Sequence, residues 1–156
     1  TFDQDPRLAL ITLSEVASRA LSPAVNDPGT AIEVLARQVR VFAAWCNAGE
    51  PDEPLHRNVR VAPIRLDDMF DDSFLAMGRD GARHVEVVIR MMKTLGALAD
   101  IGPDEFDGPA QRHMSLLFNR AIKDMTSEGD QELVLAEAEA AGLKLTAAQR
   151  KAAGVK

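Results

Sequence analysis

A single cysteine, Cys46, stands among the 156 residues, so no intramolecular disulfide framework can form, and an unpaired thiol suits a reducing compartment. Long apolar runs are also missing. A bilayer span needs roughly 18 consecutive apolar residues, and here charges interrupt every few positions, as in Ile32-Glu33-Val34-Leu35-Ala36-Arg37. Nor is there an excess of basic charge: 18 Lys and Arg stand against 24 Asp and Glu, a formal net charge of −6. Proteins that track phosphate backbones or coat anionic lipid need clustered Lys and Arg, so no nucleic-acid partner is expected. The opening Thr1-Phe2-Asp3-Gln4-Asp5-Pro6 lacks the basic start of a secretory signal. The chain as it stands is expected to be soluble.

Signatures of chemistry are equally scarce. Neither H-E-x-x-H nor a Cys/His cluster occurs, and there is no G-x-S-x-G, no S-x-x-K and no glycine-rich phosphate loop. No fixed-period repeat, low-complexity tract or alternating run long enough for a sheet is present. His56, His84 and His113 fall in separate elements and read as solvated helix histidines, while Cys46, beside Trp45, reads as a buried small hydrophobe. No cofactor is expected.

What is present is helical patterning. Hydrophobic residues make up 46% and charged residues 27%, the balance of a globular chain, and the length suits one domain over residues 1–156. Asp5-Pro6 and Asp27-Pro28 each place a capping carboxylate before a proline, which is tolerated at the first helical position. After the first, Leu10, Leu13, Ala17, Ala20 and Leu21 line one face, and the helix should stop near Ser22-Pro23. After the second, Ile32, Leu35, Val39, Phe42 and Cys46 form a stripe of about four turns. A Gly-, Pro- and acid-rich loop follows from Asn47 to His56, then an extended piece near residues 58–66, where Val59, Val61, Ile64 and Leu66 flank Pro63. A short helix is expected from Asp67 to Met77, broken at Gly78-Arg79-Asp80-Gly81. Val85, Val88, Met92, Leu95 and Ala99 make another stripe, ending at Gly102-Pro103. Gly108-Pro109 should open a helix with Met114, Leu117, Phe118, Ala121, Ile122 and Met125 inward. A charged helix from about Asp130 to Ala141 and a capping box at Thr146–Gln149 complete the chain. The fold class is therefore all-α, a compact bundle of five to seven helices.

Two clusters are candidate sites. Asp67-Asp68-Met69-Phe70-Asp71-Asp72 contains D-D-x-x-D, which sets Asp67 and Asp71 on one helical face with Asp68 beside them. All-α prenyl-transferring enzymes hold magnesium on diphosphate with such carboxylates, but with a second acidic motif and a chain about twice as long. Acidic residues at a helix start also complement its dipole, so no metal is assigned. The other cluster is the connection Ser22–Thr30. Ser22, Asn26, Asp27 and Thr30, with Arg19 just before, crowd small polar groups between two apolar helices, where loops held by rigid elements often bind ligands. Each of them also suits a turn or a cap.

The string Ala20-Leu21-Ser22-Pro23-Ala24-Val25-Asn26-Asp27-Pro28-Gly29-Thr30-Ala31, with Thr1-Phe2-Asp3-Gln4-Asp5-Pro6 ahead of it, closely resembles bacterial proteins catalogued as domain of unknown function 2254. The likeness is strong to about residue 46 and looser through Leu66–Asp100. Members are predicted integral-membrane proteins whose soluble, helical C-terminal part this chain is similar to. The resemblance implies a fragment of a longer membrane protein. It places the fragment on the cytoplasmic face of the bacterial inner membrane, attached through an N-terminal region not included here. It further implies action through protein contacts or assembly, with a homo-oligomer expected, rather than catalysis. A ligand-binding or enzymatic use of Ser22–Thr30 is the alternative.

Overall fold

The computed structural model describes residues 5–48, 58 and 62–154. They form seven helices: α1 (Pro6–Ala20), α2 (Pro28–Asn47), α3 (Leu66–Asp80), α4 (Val85–Ile101), α5 (Pro103–Asp124), α6 (Glu128–Ala140) and α7 (Ala147–Ala152). Among the described residues there is no strand. The fold is all-α, as the periodicity predicts.

Capping sets the entry points. Asp5 accepts from the Leu8 backbone N–H at 3.1 Å, Asp27 from Thr30 at 3.0 Å and Ser127 from Asp130 at 3.3 Å. Each satisfies a donor that has no partner within its helix. The capping box of α7 closes as expected, with Thr146 and Gln149 bonding reciprocally.

Packing is built around α4, which is buried on more than one side and touches α2, α5 and α6. On the other side of the molecule α1 lies against α2 and α3, and α3 against α5. An aromatic cluster sits where α2, α3 and α5 meet. The Phe42 ring is 4.8 Å from Phe70, 6.0 Å from Phe74 and 5.7 Å from Phe106, with tilted, stacked and edge-on geometries. Such ring pairs add roughly 0.5–1.5 kcal/mol beyond the area they bury.

Several expectations need correction. The helix expected at Gly108-Pro109 begins at Pro103 and carries Pro109 inside it. Phe106 and Ala110 are fully buried on either side of that proline, and the Glu105 carbonyl it leaves unpaired belongs to an exposed residue that water can reach. α3 runs through Gly78 to Asp80 rather than stopping at Met77, because Met77 and Gly78 both face the interior. Leu66, expected in an extended piece, opens α3 instead. Residues 62–65 have no regular structure, and Val59 and Val61 lie outside the described residues, as does most of the Asn47–His56 loop. Cys46 is exposed, not buried, since α2 continues a full turn past Phe42, its last buried residue. His113 is 2% exposed and not solvated.

Candidate functional site

The connection between α1 and α2 is fixed from within. Ser22 Oγ donates to the Arg19 carbonyl at 2.7 Å, and the Ser22 carbonyl accepts from Val25 and Asn26 at 3.0 and 2.8 Å. Asn26 takes a left-handed conformation, φ 49°, which asparagine tolerates better than most residues. The Asp27 backbone N–H then donates to the Ala20 carbonyl at 2.8 Å, closing the loop on the end of α1. The Asp27 carboxylate takes both the Thr30 N–H and the Thr30 hydroxyl, the latter at 2.6 Å. That hydroxyl and N–H hold the Asp27 carboxyl below its ordinary range.

The five candidate residues of this region therefore separate. Asp27 and Thr30 engage each other at the cap. Ser22 and Asn26 line a hollow of about 570 Å³ shared with Arg79, His84 and Asp124. Arg19 lines a larger groove of about 890 Å³ between α1 and α3, with Ser14, Ser18, Arg79 and, from α5, Arg120. Ser18 and Arg79 border both spaces.

The acidic cluster on α3 is tied to neighbouring helices. Arg7 of α1 bridges Asp72 at 2.6 Å and Asp68 at 3.2 Å. Arg112 of α5 meets Asp71 at 2.7 Å, and the same Asp71 oxygen lies 3.0 Å from His113 Nε2. Asp67 stands 3.8 Å from Arg112 and 3.9 Å from Arg65. Among the described residues no group of three or more His, Cys, Asp or Glu converges as a metal site would require. His56 lies outside the described residues, and His84 is the N-cap residue of α4.

Cys46 has no activating surroundings. Desolvation, and then the negative charge of Glu105, raise its thiol above the ordinary range, so it stays protonated at neutral pH. At the turn after α3, Arg79 grips Asp80 through two bonds of 2.7 and 3.1 Å and holds that carboxyl low.

Ser14, Ser18 and Arg120 escape a reading by sequence. Ser14 carries a signal, since it is the polar member of the inner face of α1, one turn after Leu10. Arg120 carries none: it reaches the groove only because α5 packs against α3.

Residues 1–97 match the model of a family described as predicted membrane protein, domain of unknown function 2254. An uncharacterised protein of Mycobacterium bovis is 29% identical over 144 residues, which cover 88% of this chain and 28% of that protein. Two uncharacterised proteins of Mycobacterium tuberculosis align with the same identity and coverage. The chain thus spans 28% of the length of the curated relatives it matches. No solved structure matches. No helix among the described residues is long and apolar enough to cross a membrane.

Proposed function

The chain belongs to the family of predicted membrane proteins catalogued as domain of unknown function 2254, and on that premise we propose that it is a non-catalytic helical domain of a larger, bilayer-embedded protein. It lies on the cytoplasmic side and works through protein contact, pairing with a second copy of itself. The observation that carries this reading is the outer face of α1. Leu8 is 44% exposed, Ile11 37% and Val16 44%, and Val25 just past the helix is 58% exposed. At about 100° per residue the three helical positions span a sector of about 140°. Single exposed apolar residues are ordinary, but several in one sector mark a contact surface, here a mixed one, since Thr12, Glu15 and Arg19 stand between them. Isologous pairing is the common way for such a face to be covered. The polar clusters support the same reading, since Asp27, Asp68, Asp71 and Asp72 all serve caps or cross-helix ion pairs. The unpaired Cys46 thiol fits a reducing compartment.

Sedimentation or light scattering of the chain over a range of concentrations tests the pairing. A reversible dimer is expected, with Leu8→Glu and Val16→Glu each weakening it by about tenfold or more, the equivalent of about 1.4 kcal/mol. A monomer at every concentration rejects it. Sidedness is tested separately on the whole parent protein. Cys46 is exposed, so a membrane-impermeant maleimide should label it only after the cells are permeabilised, and labelling of intact cells rejects the cytoplasmic placement.

A further inference from the structure

The groove between α1 and α3 holds charge and hydroxyl groups that the fold does not use. Most of its charged wall is engaged inside the protein: Asp72 by Arg7, Asp71 by Arg112, and Arg79 by Asp80. Arg19, Arg120 and Glu15 remain. Among the described residues none of these three takes part in an ion pair, although Glu15 and Arg19 stand at i,i+4 spacing on α1. The unengaged charge therefore sums to one positive.

Arg120 is held in place without being neutralised. Its Nη1 donates to the Leu75 carbonyl at 3.2 Å, which uses one of five guanidinium N–H groups. It lies over Gly78, where an added Cβ would come 3.6 Å from the same nitrogen, an ordinary contact distance. On the opposite wall Ser14, 4% exposed, lines the groove with a hydroxyl that has no hydrogen-bond partner, and Ser18, one turn on, lies toward Asp80. Buried hydroxyls are nearly always bonded, so the unbonded one of Ser14 on this groove calls for an acceptor.

We propose that this groove binds a phosphate monoester, either that of a small organic phosphate or that of a phosphatidic acid headgroup. Arg19 and Arg120 take phosphate oxygens from two sides, and the Ser14 hydroxyl donates to the oxygen that sits deepest. Donors arriving from three directions suit the three free oxygens of a phosphate monoester better than the two of a carboxylate. Glu15 accepts from a hydroxyl or amine on the organic part, for which a space of about 890 Å³ leaves room. Ile11 lines the groove, and Glu15 and Arg19 fall in the same sector of α1 as Leu8 and Val16, so ligand and partner would share this surface; the inference rests on the groove's own groups and not on the pairing.

The test uses the 156-residue chain and three probes: inorganic phosphate, glycerol 3-phosphate and vesicles containing phosphatidic acid. Calorimetry is expected to show saturable binding of glycerol 3-phosphate. Arg19→Gln and Arg120→Gln should each weaken it about tenfold or more, as loss of a charge-assisted donor pair does. Ser14→Ala should weaken it too, while leaving the melting temperature unchanged or raised, because it removes an unpartnered hydroxyl. Vesicle co-sedimentation lost in the same variants assigns the phosphate to a lipid headgroup. Binding of the free ester without vesicle binding assigns it to a soluble ligand. Failure of all three probes to bind overturns the proposal. So does binding that survives Arg19→Gln, a change at an exposed position of α1 that does not endanger the fold.

Discussion

His113 lies between the rings of Phe70 and Phe74, at 6.1 and 5.9 Å, with Asp71 as its polar neighbour. Burial lowers its pKa from 6.5 to about 4, the positive charge of Arg112 adds to the effect, and the Asp71 carboxylate offsets part of it. In the unfolded chain the imidazole takes its proton near pH 6.5, whereas the folded protein refuses it until about pH 4. Stability is therefore full above pH 6.5 and falls as the pH drops from there to about 4, by up to about 3 kcal/mol. Asp27, Asp80 and Asp107, all held below the ordinary carboxyl value of 3.8, lose their contributions at lower pH than this window. Urea unfolding at pH 7 and at pH 4.5 should show the decline in the native chain and a much flatter profile in His113→Gln. An unchanged profile in the variant would remove His113 as the source. The burial was open to a reading of the chain. Phe106, Ala110, His113, Leu117 and Ala121 follow one another at steps of four and three. It escapes notice only when the helix is taken to begin after Phe106.

The helices themselves were the most legible level, because caps and apolar spacing act within a few residues of each other. Asp5, Asp27 and Thr146 announce their helices, and the stripes of α1, α2 and α4 face inward as read except at Cys46, the last member of the α2 stripe. Misreadings fall where tertiary contact outweighs local preference: Pro109 and Gly78 would break an isolated helix, but each sits next to fully buried residues that hold the turn. The candidate groove was less legible. Arg19 was in view and Ser14 stands on the same helix, yet Arg120 is brought to them only by the packing of α3 against α1 and α5. Close approach of helices makes a prediction at this scale. A Cβ on Gly96 would lie 2.9 Å from the Ala141 carbonyl oxygen and 3.3 Å from its Cα, both backbone atoms at the end of α6. Gly96→Ala should push α6 off α4, cost about 1–3 kcal/mol in urea unfolding, and speed amide exchange around Val134 and Ala138. If Gly96→Ala proved neutral, the two helices would have to be less closely seated than this.

The family match ends at residue 97, inside α4, but the core does not divide there. Phe42, Phe70 and Phe74 come from the matched part, and Phe106 closes their cluster from outside it. Ala110, Met114, Leu117, Phe118 and Ala121 of α5 are likewise buried, and α5 packs on both α3 and α4. Length alone would allow residues 1–102 to fold, since domains of about 100 residues are common. Packing argues otherwise, because removing α5 bares the aromatic cluster and one face each of α3 and α4. Residues 1–102 should therefore show helical circular dichroism without a cooperative thermal transition, and should bind a hydrophobic dye, as loosely packed states do. A chain ending at residue 126 loses α6, α7 and their connection, with the buried Val134, Ala138 and Leu143, but none of the rings of the aromatic cluster. That chain keeps α5 over the rings and should melt cooperatively at a lower temperature than the whole. If residues 1–102 melted as sharply as residues 1–126, the matched segment would carry its own core, and α5 would be an addition to the fold rather than one of its walls.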